Sequence, residues 1–377
     1  MAETTPPTHD DIMASLRRVK DPELRQDLVT LNMVHDIQID ATGSVAVAID
    51  LTTPGCPLKR QIEADIQEAV GAVPGVARVA VTFGVMSQQQ KDALREQLRG
   101  GREYRDPGLA IPDSCRVIAV SSGKGGVGKS TVTANLAAAM AARGHEVGLI
   151  DADVYGYSIP QMLGIHQRPV SFDNMIVPPV NHGVRLMSIG FFLDEDEPVM
   201  WRGPMLHRAI QQFLGDVHWG DIEYLFVDMP PGTGDIAISL AQLLPRAEVL
   251  VVTTPQTAAQ VVARRAAMMA ERLDQHLLGI VENMAAPEGS DPAVAVFGAG
   301  GGELLAAQVD APLLGSVPLD IAVREGGDTG TPAVLGDEAV ATAFSDIAAT
   351  IADMAPPAPP APAPSGAARI KKSLTVL

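Results

Sequence analysis

The chain holds only two cysteines, Cys56 and Cys115, among 377 residues. That scarcity excludes a disulfide framework and points to a reducing cytosol. Positive charge is also short: 28 Lys and Arg stand against 45 Asp and Glu, for a net charge of −17. Such a balance argues against a partner held by phosphate-backbone electrostatics, so no nucleic acid is expected. A bound nucleotide is not excluded, because one local loop can oppose the global sign. No stretch approaches the ~20 consecutive apolar residues of a membrane span. The beginning, MAETTPPTHD, lacks the basic and apolar regions of a signal peptide. The one basic stretch at the end, RIKKSLTVL, is too short to anchor stably on a lipid surface. A cytoplasmic chain with no membrane partner is expected. Its length and 46% hydrophobic content allow two domains with sizeable cores.

What is present divides accordingly. Residues 1–100 carry the pattern of a small α+β domain. Ile37 and Ile39 alternate before the turn at 41–44, and Val45, Val47, Ile49 and Leu51 alternate after it, which is a hairpin signature. Ile62, Ile66, Ala69, Val70 and Val73 then recur at helical spacing, predicting a helix over 57–73. A strand is expected over 75–85, and Ser87 with Gln90 forms a capping-box match opening a closing helix through Leu98. Glycine and proline make 101–113 a linker. From 114 to 354 apolar strands alternate with helices: strands are expected at 117–120, 147–151, 224–228, 249–253, 278–282 and 313–317, with an alanine-rich helix leaving the loop after the first. Near-continuous apolar strands separated by helices imply an α/β domain, a mostly parallel sheet covered by helices on both faces. The Pro/Ala-rich tail, 355–377, is expected to be disordered or extended.

The first of those strands runs into SSGKGGVGKST, residues 121–131. The form G-x-x-x-x-G-K-[ST] turns backbone N–H groups inward around nucleotide phosphates, places a lysine on the β and γ phosphates and directs a hydroxyl to Mg2+. Gly123, Gly128, Lys129 and Ser130 meet it; Gly125, Gly126, Val127 and Thr131 complete the cradle, and the following helix adds the partial positive charge of its N-terminus. Mg2+ takes oxygen ligands, and Asp228, at the end of an apolar strand, joins Ser130 as a candidate. The turn at 230–234 brings backbone towards the γ phosphate. Asp153 is the candidate for positioning the attacking water, while Asp151 is divided between site and structure. Lys124 exceeds what the loop requires. It is either a solvated surface lysine or, projecting away from its own cradle, a charge offered to a facing subunit, which would make the protein a homodimer with ATP at its interface.

These residues carry a resemblance. GKGGVGKST resembles the deviant Walker A loop of ParA/MinD-type ATPases, in which the extra lysine acts across a nucleotide-sandwich dimer. DADVYGYSIPQMLG, WRGP at 201–204, DMPPGTGDIAISL, VTTPQ at 252–256 and ENM at 282–284 more closely resemble the Mrp-type iron-sulfur cluster carrier ATPases over roughly residues 114–350. DPEL at 21–24 and TTPGCPLK at 52–59 are similar to the metal-sulfur cluster biosynthesis domain often fused to them. The resemblance implies that Asn283 contacts adenine, that iron-sulfur assembly proteins and apoprotein clients are the partners, and that a [4Fe-4S] cluster is the cargo. The family usually carries C-x-x-C shortly after ENM, four thiolates from two subunits. Here ENMAAPEGSDPAVAVFGAGGG contains no cysteine.

Cys56 remains as an iron-sulfur candidate. It precedes Pro57, a favoured first helical residue, and a thiol at a helix N-terminus has a lowered pKa. Cys115, at the start of a sheet strand, reads as structural, and the glycines at 298–302 as the opening of a helix. The expected function is a slow ATPase that carries or helps load iron-sulfur clusters. The alternatives are a nucleotide-switched positioning protein of the ParA/MinD kind and a cluster-free regulatory or scaffold ATPase.

Overall fold

A computed structural model of the chain describes residues 7–22, 26–51, 59–87, 89–91, 93–94, 111–112, 114–153, 156–172, 175–193, 203–287 and 296–356. Cys56, most of the expected linker and the Pro/Ala-rich end lie outside the described residues.

The first unit begins with α1 (His9–Leu16), whose start is set by a reciprocal capping box between Thr8 and Asp11. β1 (Val34–Ile39) and β2 (Ser44–Leu51) pair antiparallel around a turn in which the Asp40 carboxylate accepts the N–H groups of Thr42 and Ser44. Gly43 there has φ +83°, and a Cβ would lie 2.3 Å from the Gly75 carbonyl oxygen, so the turn requires glycine. α2 (Lys59–Gly71) follows, and β3 (Arg78–Val85) pairs parallel to β2. The strand expected from residue 75 starts later because turns bonded from Val73 to Val70 and from Val76 to Val73 occupy that stretch. Val45, Val47, Ile49, Ile62, Ile66 and Val70 are buried together with Ile12 and Leu16, so the two periodicities read from the sequence meet in one core. That core also takes in Met175 and Val177, from the second unit. Ser87 and Gln90 form the expected reciprocal cap, and the helix it opens is described only as far as residue 94.

The second unit begins at β4 (Arg116–Ser122), followed by α3 (Lys129–Ala142), β5 (Val147–Asp151) and the single turn α4 (Ile159–Met162). Four short strands come next: β6 (Val170–Phe172), β7 (Met175–Val177), β8 (Val180–Asn181) and β9 (Val184–Ser188). After α5 (Gly203–Gly215) the chain alternates: β10 (Tyr224–Asp228), α6 (Asp235–Leu243), β11 (Glu248–Thr253), α7 (Thr257–Arg272), β12 (Leu277–Ala285), α8 (Gly301–Val309) and β13 (Leu313–Pro318). α9 (Ile321–Thr329) and α10 (Ala339–Asp353) close it.

The sheet has the order β13-β12-β11-β4-β10-β5-β9-β8 and is parallel throughout except for the β8 edge. Alternate residues of one strand therefore serve opposite faces. Ile118 and Val120 pack with Val132, Leu136 and Met140 of α3 and Phe344 and Ile347 of α10. Ala119, with Ile150 and Val227, packs instead on Leu206, Ile210 and Phe213 of α5 and on Trp219. β4, first in sequence, is central in the sheet. The chain departs from it in both directions, which places the carboxyl end of β4 at a topological switch point, where open α/β sheets bind ligands.

At the opposite end of the sheet, Arg116 and Glu248 form a buried bidentate ion pair. Arg116 also donates to the carbonyls of Ile351 and Met354, at 2.6 and 2.9 Å, and so fastens the last turn of α10 beneath β4 and β11. Removing Arg116 leaves the buried Glu248 carboxylate with only the half-exposed His276 ring, whose Nδ1 lies 3.3 Å from Oε1. Arg116→Ala is therefore expected to cost about 3–5 kcal/mol of stability by urea unfolding; a loss below ~1 kcal/mol would show that solvent reaches Glu248.

Candidate functional site

The loop that leaves β4 is shaped by its glycines. A Cβ on Gly123 would lie 2.1 Å from the Val262 carbonyl carbon, so only glycine lets α7 lie directly against the loop. Gly126 and Gly128 have φ +82° and +77°, the left-handed region. A Cβ on Gly128 would lie 2.2 Å from Asn283 Nδ2, whereas Cβ atoms on Gly125 and Gly126 would meet nothing within 4 Å. One side of the loop is thus braced and the other is open. The brace is polar: Asn283, nearly buried at the end of β12, donates from Nδ2 to the Val127 carbonyl at 2.9 Å. Asn283, for which the resemblance implies an adenine contact, thus stands at the loop with its Nδ2 on the Val127 carbonyl. α3 starts at Lys129, as expected, so its first N–H groups face the cradle.

β10 and β5 lie beside β4 and bring their acidic ends to the same place: Asp228 is in register with Val120 on one side and Asp151 on the other. Asp228 is fully buried. Its Oδ2 accepts from Lys129 Nζ and Ser130 Oγ, both at 2.6 Å, and its Oδ1 from Thr133 Oγ1 at 2.8 Å. Lys129 Nζ also lies 4.0 Å from Asp153 Oδ2. Asp151 is fully buried as well; it accepts from Ser188 Oγ at 3.0 Å and from the Asp153 N–H at 3.3 Å. Burial, reinforced by the charge of Asp228 and only partly offset by Lys129, pushes the Asp151 carboxyl up to about 8. Asp153 itself accepts the Gly156 N–H at 3.2 Å. The turn after β10 folds over the loop strand, with the Gly232 N–H on the Ser122 carbonyl at 2.9 Å. Ser122 Oγ donates to the Lys124 carbonyl, while the half-buried Lys124 side chain makes no ion pair among the described residues.

The sequence-derived residues Gly123, Gly128, Lys129, Ser130, Asp153, Asp228 and Asn283 are brought together at one end of the sheet. Cys56 falls outside the described residues, and among those described no group of three or more His, Cys, Asp or Glu could hold a metal ion. Cys115 is buried, and desolvation pushes its thiol up to about 12, so it is structural. Three polar residues were missed. Thr133 lies one helical turn after Lys129, a spacing that already put both on one face. Ser188 lay in a strand the sequence pattern did not reveal. Glu282 was passed over within ENM. It is buried and accepts the Gly302 N–H at 2.9 Å and the Ser316 hydroxyl at 3.0 Å, so it anchors the start of α8, where the glycine run was expected to open a helix.

The donor set suits a magnesium nucleotide. The left-handed glycines and the start of α3 offer amides on the side where Gly125 and Gly126 meet nothing, Lys129 supplies an ammonium, and Ser130 and Asp228 are hard oxygen donors side by side.

Residues 114–352 match the family model described as NUBPL iron-transfer P-loop NTPase, and residues 9–83 match one described as iron-sulfur cluster assembly protein. An iron-sulfur cluster carrier protein of Mycobacterium tuberculosis is 51% identical over 351 residues, covering 89% of this chain and 91% of that protein. One of Synechocystis sp. is 45% identical over 355 residues, covering 92% and 97%. Among solved structures, a nucleotide-binding protein from Archaeoglobus fulgidus in complex with ADP is similar with a TM-score of 0.52 and 36% identity, over 60% of this chain and 90% of that one. The glycine-shaped loop at the head of a central parallel strand, paired with a buried acid from the next strand, is accordingly that of a recognised group, and the chain belongs to the NUBPL iron-transfer P-loop NTPase family.

Proposed function

We propose that the protein is a homodimeric ATPase that carries or helps load iron-sulfur clusters onto apoproteins. The observation that carries this reading is the convergence of Lys129, Ser130 and Asp228 at the mouth of the braced loop, in a chain that matches iron-sulfur carrier proteins along most of its length. The loop amides and Lys129 would hold the phosphates. Ser130 and Asp228 would hold Mg2+, which supplies positive charge to the phosphate oxygens. Thr133 keeps Asp228 aimed at that position. Asp153 is the better candidate than Asp151 for orienting the attacking water: Asp151 is fully buried and committed to Ser188, and burial pushes its carboxyl up, whereas Asp153 lies 4.0 Å from Lys129 Nζ. Lys124 has no ionic partner in its own chain among the described residues, in keeping with a charge delivered to the nucleotide of a second copy.

The cargo is a separate matter of ligands. A [4Fe-4S] cluster ordinarily needs four thiolates. Cys115 is buried in the core at the start of the first sheet strand, so each chain offers Cys56 as its candidate thiol and a dimer offers two. The ordinary four-thiolate site is not met by this chain's residues. Transfer would then use the two Cys56 thiolates together with glutathione or a partner protein. The cysteine-free segment after Asn283 equally favours a second reading, an ATPase that organises assembly proteins without holding the cluster. Anaerobic incubation with iron and sulfide separates them: the first reading expects cluster absorbance that disappears in Cys56→Ala, and the second expects none in either protein.

The two loop lysines are separable. Lys129→Ala is expected to abolish nucleotide binding measured by calorimetry. Lys124→Ala should bind normally and lose hydrolysis by roughly a hundredfold, the scale on which a single transition-state donor acts. Unchanged hydrolysis in Lys124→Ala would remove the partner-directed role.

Asp151 supplies a test of its own. Its folded-state pKa, about 8, lies above the ordinary 3.8, so the folded chain keeps a proton that the unfolded chain has released. Its contribution to stability is complete below that lower value and is lost as pH rises through about 8. Asp151→Asn imitates the protonated acid and removes that loss. Its stability relative to the natural protein should rise steadily between pH 5 and pH 8 in urea titrations; a constant difference would mean that Asp151 is ionised in the fold.

A further inference from the structure

β7 lies in the NTPase unit by sequence, yet its side chains divide between two cores. Met175 and Val177, only 7% and 6% exposed, are buried in the core of the first unit with Val45, Val47, Ile62 and Ile66, and among the described residues they are the second unit's whole contribution to it. Ile176, between them, packs instead against the core formed by Leu206, Ile210, Phe213 and Trp219. Successive side chains of a strand point to opposite sides, so this one strand is held between the two units. A first unit tethered only through residues 101–113 would leave Met175 and Val177 in water on the outside of the NTPase.

The backbone of β7 is fixed to the NTPase. Ile176 donates its N–H to the Asp216 carbonyl and accepts the His218 N–H at its own carbonyl, both at 2.8 Å, while β6 pairs along the other edge. Pro178 and Pro179 come next, with φ fixed by their rings, and the Pro179 carbonyl accepts the Leu186 N–H of β9 at 3.0 Å. The path from β7 to β9 is therefore short and stiff. β9 ends at Ser188, the donor to Asp151, so a single strand connects β7 to the acidic flank of the nucleotide site.

We propose that β7 is the strap that docks the N-terminal unit on the NTPase, so that the two travel as one body and whatever the first unit binds is presented from a fixed place and not from a swinging tether. The docking is independent of the ATP reading; its bearing on cluster transfer rests on that reading. Hydrogen exchange of the full-length protein, read by mass spectrometry, tests it in the natural chain and in the double variant Met175→Ala with Val177→Ala. Both substitutions lie in the second unit, yet exchange in β2 of the first unit is expected to quicken about tenfold or more, the effect of emptying part of a core. Exchange in β10 and β11, and MgADP affinity by calorimetry, should stay within about twofold of the natural chain. Val177→Asp, which puts a charge into the same core, is expected to raise the radius of gyration measured by small-angle scattering. Unchanged exchange in β2 would overturn the proposal, and so would an unchanged radius of gyration in Val177→Asp. Equal quickening in β2, β10 and β11 would overturn it too, because Met175 and Val177 would then serve the NTPase core. A natural chain that binds no MgADP would overturn the ATP reading and leave the docking to be decided by exchange and scattering.

Discussion

A fully buried carboxylate needs hydrogen-bond donors and an opposite charge close by, and the organisation of this site follows from how Asp228 obtains them. Its strand lies beside β4, and its donors are Lys129, Ser130 and Thr133, from the first turns of the helix that β4 feeds. Satisfying Asp228 therefore ties the tip of β10 to the root of α3 and fixes the loop between β4 and α3 from one flank. The next strand over places Asp151 in register with Asp228. One ammonium cannot compensate two adjacent buried carboxylates. Lys129 sits on Asp228, and burial beside that second carboxylate pushes the Asp151 carboxyl up. The order of the strands thus distributes charge in the site as well as residues.

The other flank is held by shape and one hydrogen bond. Glycine at 123 lets α7 touch the loop backbone, and glycine at 128 leaves room for Asn283 to reach the Val127 carbonyl. A loop braced on both flanks presents its amides without reorganisation, and preorganisation of dipoles is how such sites act on developing charge. Gly125 and Gly126, by contrast, face open space, which is where backbone must approach phosphate closely.

The parts of this arrangement legible in the sequence are those written in short-range pattern. The strands at 147–151 and 224–228 follow from continuous apolar runs, and the start of α3 at Lys129 and the hairpin of the first unit from the loop motif, period-two spacing and turn residues. The loop residues follow from backbone chemistry that only glycine, lysine and a hydroxyl satisfy. The strands between 170 and 188 were not legible, because each is only two to five residues long and is placed by the neighbours it pairs with. Ser188 was lost with them, and the environment of Asp151 with it. The bond of Asn283 to Val127 was not legible either, because it depends on the juxtaposition of β12 and the loop across 156 residues of sequence.

Glu282 ties together the two ends of the segment that follows Asn283. That segment begins at the end of β12 and returns at α8, and both ends are pinned by this one buried side chain. Its carboxylate accepts the Gly302 N–H and the Ser316 hydroxyl, and glycine at 302 is required because a Cβ there would lie 2.7 Å from that of Glu282. Beside it the Ala286 N–H donates to the Gly298 carbonyl at 2.8 Å and closes the base of the segment. One buried side chain thus ties the strand that carries Asn283 to the start of α8 and to β13.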